Sequence, residues 1–143
     1  MKLRLIYATL AGGVLSFLLG WLVFGLILMS FYTNNSIHYE GLMKPEPNLI
    51  LIFLSCLVMS FFMAYVFDSW AWFKTFTKGL YGGFFIGIFI GLTCDLSFLA
   101  MMNLYSVKVM VLDVLVTGLM NAIIGGVIAW ILGFEKKPTQ VTA

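Results

Sequence analysis

The chain has 143 residues, of which 62% are hydrophobic and 10% charged, with a formal net charge of +2. Soluble domains carry about 25% charged residues, so a chain this short and this apolar is expected to have lipid as its solvent. The basic residues form no patch, which argues against nucleic acid as a partner, and the length suits one domain.

A membrane helix needs about 20 apolar residues to cross roughly 30 Å of hydrocarbon. The first such run is Leu5–Phe31. It starts like a signal peptide, but it exceeds the roughly 7–15 residues of a signal core and no A-x-A cleavage site follows, so an uncleaved helix is expected. The connection YTNNSIHYEGLMKPEP, residues 32–47, reads as an outer loop from its Asn, Gly and Pro content, and Pro45 and Pro47 punctuate the entry to the next span. His38, the single histidine, and Glu40 lie in it. They become candidate contributors to an outward-facing pocket if the loop folds over the mouth of the helices.

Span two is predicted over Asn48–Phe67, and residues 68–78 form a loop on the opposite side. Trp70 and Trp72 in that loop read as an interfacial aromatic belt. Asp68 reads as a solvated end residue within reach of Lys74 or Lys78. Spans three and four are predicted over Gly79–Met102 and Val109–Phe134, followed by the tail 135–143. The short connection Asn103–Lys108 makes these two spans antiparallel neighbours. The alternation of a β-barrel is absent. The expected fold is therefore all-α, a four-transmembrane-helix bundle.

Basic residues set the orientation. Lys2, Arg4, Lys74, Lys78, Lys136 and Lys137 fall on one side of these spans, and only Lys44 and Lys108 on the other. The positive-inside rule then puts both termini and the 68–78 loop in the cytoplasm. Cys56 and Cys94 lie in apolar runs without metal-ligand spacing and read as small packing residues, at depths that would allow contact.

Small residues recur every four positions: Gly12, Ser16 and Gly20 in span one, Gly83, Gly87 and Gly91 in span three, and Gly125 with Ala129 in span four. Such rows let membrane helices approach closely and gain dispersion contacts. Asp95 continues the span-three row, so it is expected to face other helices. Asp113, Thr117 and Asn121 form a polar stripe on span four. By helical rise the two carboxylates share the outer half of the membrane. A charged Asp at the bilayer centre costs about 2.5–3.5 kcal/mol on insertion scales. Two such groups at one level repel when both are ionised, an arrangement suited to a cation or a proton. The competing reading is hydrogen bonding between helices, with Thr93, Thr117 or Asn121 as partners.

The pattern Lys78, Gly79, Gly83, Gly87, Gly91, Asp95, followed by Asp113, Asn121, Gly125, Gly126 and Trp130, resembles small four-helix bacterial inner-membrane proteins of the domain-of-unknown-function kind. The resemblance covers the last two spans well and span one poorly. It implies architecture and a bacterial inner-membrane location and brings no activity.

No nucleophile–base pair, phosphate loop or metal motif is present, so neither an enzyme, a cofactor nor a bound metal is expected. One histidine cannot ligate a haem through a histidine pair. The leading expectation is a structural or accessory membrane protein that self-associates or joins a larger complex through its glycine faces. The alternative is a small cation- or proton-linked transporter or channel using Asp95, Asp113 and Asn121. A third idea is a pocket for a small apolar ligand lined by Phe98, Met101 and Met102.

Overall fold

The structure is a computed structural model that describes residues 2–42, 44 and 46–134. Pro45, Lys136 and Lys137 lie outside the described residues. The described chain is helical, without a β-strand: α1 is Lys2–Leu22, α2 Met29–Asn35, α3 Leu49–Val66, α4 Phe76–Met101 and α5 Val107–Leu132. Single π-turns extend α1 over Val23–Ile27 and α3 over Phe67–Ala71. Four helices are long and apolar enough to cross a membrane, over Leu3–Ile27, Leu49–Ala71, Phe76–Met101 and Val107–Leu132. The chain is accordingly a multi-pass membrane protein.

The boundaries show how local chemistry shapes each end. Span one stops at Ile27 and not at Phe31. The π-turn contains Gly25, a weak helix former, and closes with the Leu28 N–H donating to the Val23 carbonyl at 2.8 Å. The helix axis breaks there, and α2 restarts as a separate short helix. Asn48 caps α3, its side-chain oxygen accepting from the Leu51 N–H at 3.1 Å. Span two runs beyond Phe67 through its π-turn and ends at Trp72, whose φ of 51° is left-handed. An L-residue there stores roughly 1–2 kcal/mol. The Phe73 N–H returns to the Phe67 carbonyl at 3.1 Å, and Lys74 sits 5.8 Å from the Trp72 ring centroid while pairing with Asp68. Thr75 then caps α4 by accepting from the Lys78 N–H.

Packing divides the spans unevenly. The most extensive contact is α4 on α5; α1 packs on both α3 and α5, and α4 rests chiefly on α5. Ala8, Met63, Ala64, Phe67, Ile124, Ile128, Ala129 and Leu132 form the core where α1, α3 and α5 meet, at the end of the molecule that carries the N-terminus. Gly12 of α1 faces Ile128 of α5 and Ser60 of α3, and Gly13 faces Leu57. The large apolar residues left outside, such as Ile50, Val58, Phe85, Phe89 and Leu119, are exposed. In water they would be a liability; in lipid they are solvated.

Gly79, Gly83, Gly87 and Gly91 are buried on the α5 side of α4. A Cβ at Gly83 would lie 2.9 Å from the Asn121 carbonyl carbon and 3.1 Å from the Gly125 Cα; one at Gly87 would lie 2.8 Å from the Thr117 carbonyl oxygen. These are backbone contacts that no side-chain rotation relieves. Gly20 differs from the packing role expected of it: a Cβ there meets nothing within 4 Å, because α1 turns its neighbouring residues Phe17 and Leu19, and not Gly20, toward the other helices. Cys56 and Cys94 are free, the first half-buried and the second exposed.

Gly83→Ala should therefore lower stability by on the order of 1–3 kcal/mol through overpacking, while Gly20→Ala should be neutral or stabilise by up to about 1 kcal/mol through helix propensity. Thermal unfolding of the two purified variants in one detergent checks the pair. Equal effects at both positions would contradict the packing difference.

Candidate functional site

Asp95 lies six residues before the end of α4 and Asp113 six residues after the start of α5. At 1.5 Å per residue both sit about 9 Å inside the spans. They line one cavity of about 240 Å³, together with Tyr32, Phe98, Leu104, Tyr105 and Val109. Asp95 is buried, at 6% exposure. Its position follows from the α4 register: the residue four after Gly91 continues the buried face.

Two phenols hold the two carboxylates. Tyr105 donates to Asp95 Oδ1 at 3.1 Å, and Tyr32 donates to Asp113 Oδ1. Tyr105 comes from the short connection between α4 and α5, where the chain turns back over the end of α4. Tyr32 arrives from α2, across 81 residues of sequence. The break at Leu28 is what lets it reach: a straight α1 would carry this ring away along the helix axis. The Ile37 N–H donates to the Leu104 carbonyl at 2.8 Å, and Ser36 pairs with Tyr105 in an isolated antiparallel bridge. The two loops are thereby tied together over the carboxylates.

Burial raises both phenol pKa values. Tyr105 is pushed up to about 12, by burial first and then by the Asp95 charge and hydrogen bond. Tyr32 is also raised, by burial first and then by its bond to Asp113 and that residue's charge. Both phenols therefore remain protonated donors at neutral pH. One acceptor is left over: Asp95 Oδ2 is buried and has no hydrogen-bond partner. A buried carboxylate oxygen without a partner costs about 1–3 kcal/mol or more; the Asp113 carboxyl stands within hydrogen-bond reach of Asp95, so a proton held between the two carboxyls would supply one.

The other candidate residues fall elsewhere. Thr117 and Asn121 do not line the cavity; Asn121 Nδ2 donates to the Thr117 carbonyl at 2.9 Å within α5, and both residues press against the α4 glycines. Thr93 is exposed and donates to the Phe89 carbonyl of its own helix. The Asn121 and Thr93 side chains thus satisfy themselves on their own helices, as Thr and Asn readily do. His38 lines an adjoining cavity of about 440 Å³, with Phe24, Tyr39 and Leu42. That cavity shares Tyr32, Leu104 and Tyr105 with the first, so these three form the wall between them. Glu40 is exposed and lines neither cavity. Phe98 borders the carboxylates, whereas Met101 and Met102 face outward. Among the described residues no group of three or more His, Cys, Asp or Glu side chains is placed to hold a metal ion.

Tyr32 and Tyr105 were not candidates from the sequence. Tyr105 had a faint signal, since a short connection after a carboxylate-bearing helix end keeps its residues close to that end. Tyr32 had none, because its reach depends on a helix break.

No family model, curated protein or solved structure matches the chain.

The Tyr105 shift has a defined pH consequence. The unfolded chain loses this proton near the ordinary phenol value of 10.0, and the folded chain holds it to about 12. The contribution is thus fully present below pH 10 and is lost as pH rises toward 12. Denaturation measured across this window should show stability falling with pH, with a shallower fall in Tyr105→Phe. Below pH 10 the same variant should be less stable than the parent by about 1.5–3 kcal/mol, the range for a hydrogen bond to a charged group. An unchanged slope would rule out the Tyr105–Asp95 bond as its source.

Proposed function

We propose that this chain binds a monovalent cation or a proton at the Asp95–Asp113 cavity, as a small membrane transporter or channel component and not as an enzyme. The observation that carries the reading is Asp95 Oδ2, a buried carboxylate oxygen with no partner, on a cavity shared with a second carboxylate. That oxygen gains a donor from a proton shared with the Asp113 carboxyl beside it or from a bound cation. Ionisable groups inside membrane spans commonly mark ion or proton pathways. Four helices leave the cavity confined to one end, so a route across the membrane requires a second copy or a larger complex.

A structural or accessory subunit is the second reading. The observation in its favour is the open face around Gly20, where a neighbouring helix could approach. The glycines of α4 and Gly125 do not support self-association, because they are occupied against each other within the chain.

The proposed setting is the bacterial cytoplasmic membrane, with both termini on the cytoplasmic side. The distribution of Lys2, Arg4, Lys74 and Lys78 against Lys44 and Lys108 supports this orientation. The Asp-terminated glycine row supports membership among the small uncharacterised inner-membrane proteins that the last two spans resemble.

Purified parent, Asp95→Asn and Asp113→Asn, reconstituted in liposomes under imposed cation and pH gradients, test the reading. The parent is expected to dissipate a gradient, and each variant to lose about tenfold or more of that rate while keeping its unfolding midpoint within a few degrees. Equal rates in all three proteins would leave the accessory reading.

A further inference from the structure

The cavity has two chemically different halves. Asp95, Asp113 and the phenols of Tyr32 and Tyr105 make one; Phe98, Leu104 and Val109 make the other. Its volume of about 240 Å³ corresponds to roughly eight water molecules at ~30 Å³ each. A bare alkali ion would fill little of that space and would find no oxygen ligand along the apolar half. A hydrated ion would leave its water shell against Phe98, Leu104 and Val109, surfaces that offer no hydrogen bond.

A primary ammonium on a short hydrocarbon chain matches both halves. Its nitrogen carries three N–H donors, and the carboxylate half offers the oxygens of Asp95 and Asp113, of which Asp95 Oδ2 accepts from neither phenol. The negative faces of aromatic rings attract such a cation as well. The adjoining cavity of about 440 Å³ is lined by Phe24, Tyr32, Tyr39 and Tyr105 and lies behind the wall of Tyr32, Leu104 and Tyr105, so aromatic rings flank the carboxylates. A quaternary ammonium has no N–H to give and leaves Asp95 Oδ2 unpaired.

We infer that the cavity is a binding site for a small primary alkylammonium, with its –NH₃⁺ on Asp95 and Asp113 and its hydrocarbon against Phe98, Leu104 and Val109. The inference rests on the reading of this cavity as a cation site and names the class of cation. The same group can be presented by a soluble amine or by the headgroup of phosphatidylethanolamine.

The test uses the full chain in phosphatidylcholine nanodiscs at neutral pH. It is titrated with methyl-, propyl- and butylammonium, tetramethylammonium, sodium and potassium, and the unfolding midpoint and tyrosine fluorescence are followed. Alkylammonium should raise the midpoint saturably, with affinity climbing about fourfold per added methylene, the fold-change equivalent to about 0.8 kcal/mol. Asp95→Asn should weaken binding by roughly tenfold or more. Phe98→Ala, at a residue already 46% exposed, should flatten the chain-length series and leave methylammonium binding intact; it carries the test if Asp95→Asn does not fold. An affinity in the parent that ignores chain length, or tetramethylammonium binding as tightly as butylammonium, overturns the inference. Sodium or potassium binding that needs Asp95, in the absence of an alkylammonium effect, overturns it too while leaving the cation site standing. No response to any cation removes the inference, and an absence of proton-linked flux besides removes the cation site with it. A parallel titration in nanodiscs containing phosphatidylethanolamine separates the sources. Competition with butylammonium assigns the ammonium to a lipid headgroup, and unchanged affinity assigns it to a soluble amine.

Discussion

Backbone contact between α4 and α5 is the constraint on which the rest of this molecule depends. Gly83 and Gly87 stand against the carbonyls of Asn121 and Thr117, and Gly125 stands against Gly83 in return. Lipid offers no hydrophobic drive for helices to associate, so attraction has to come from dispersion at close range. That range is reached only where side chains are missing from both surfaces. Once the two helices are locked in this register, Asp95 and Asp113 are brought to one depth and onto one cavity.

The polar chemistry is supplied from outside that helix pair. α1 ends in a π-turn, and beyond the bend at Leu28 α2 delivers Tyr32 to Asp113. The α4–α5 connection delivers Tyr105 to Asp95. Each phenol replaces a water that a carboxylate would otherwise need, and each loses acidity by being buried beside negative charge. The result is a pair of carboxylates partly compensated by neutral donors. The compensation stops one oxygen short, at Asp95 Oδ2. Thr9 Oγ1 and Ser60 Oγ are also buried without a partner; Asp95 Oδ2 is the one of the three that belongs to an ionisable group.

The opposite end of the molecule is built differently. There α1, α3 and α5 interlock through Ala8, Ala64, Phe67 and Ile128, all nearly inaccessible. The charged groups sit at the rim, with Asp68 paired to Lys74 beside Trp72. That end also has an apolar cleft of about 340 Å³ between α1 and α3, lined by Ile6, Thr9 and Leu57, whereas the other end holds the cavities with polar walls. The wall of the site combines Asp95 and Phe98 of α4 and Val109 and Asp113 of α5 with Tyr32 of α2 and Leu104 and Tyr105 of the α4–α5 connection.

Some of this was readable without coordinates. Four apolar runs of sufficient length establish four spanning helices, because a backbone in hydrocarbon can only satisfy itself as a helix or a closed barrel. The i, i+4 spacing from Gly83 to Asp95 puts those residues on one face by helical geometry alone. The same periodicity misled at Gly20 and at the Asp113–Thr117–Asn121 stripe. Spacing says which residues share a face, but not how far a neighbouring helix extends along it. Gly20 faces open space, and Asn121 turns to its own helix backbone and away from the carboxylates. Tyr32 became a partner of Asp113 only through a break in α1, and the two cavities exist only because the loops cross over the helix ends. Periodicity is a local property of one helix and is written in the sequence. Which helices touch, where they bend and which acceptor is left without a donor depend on contacts between distant segments, and the tertiary structure alone decided them.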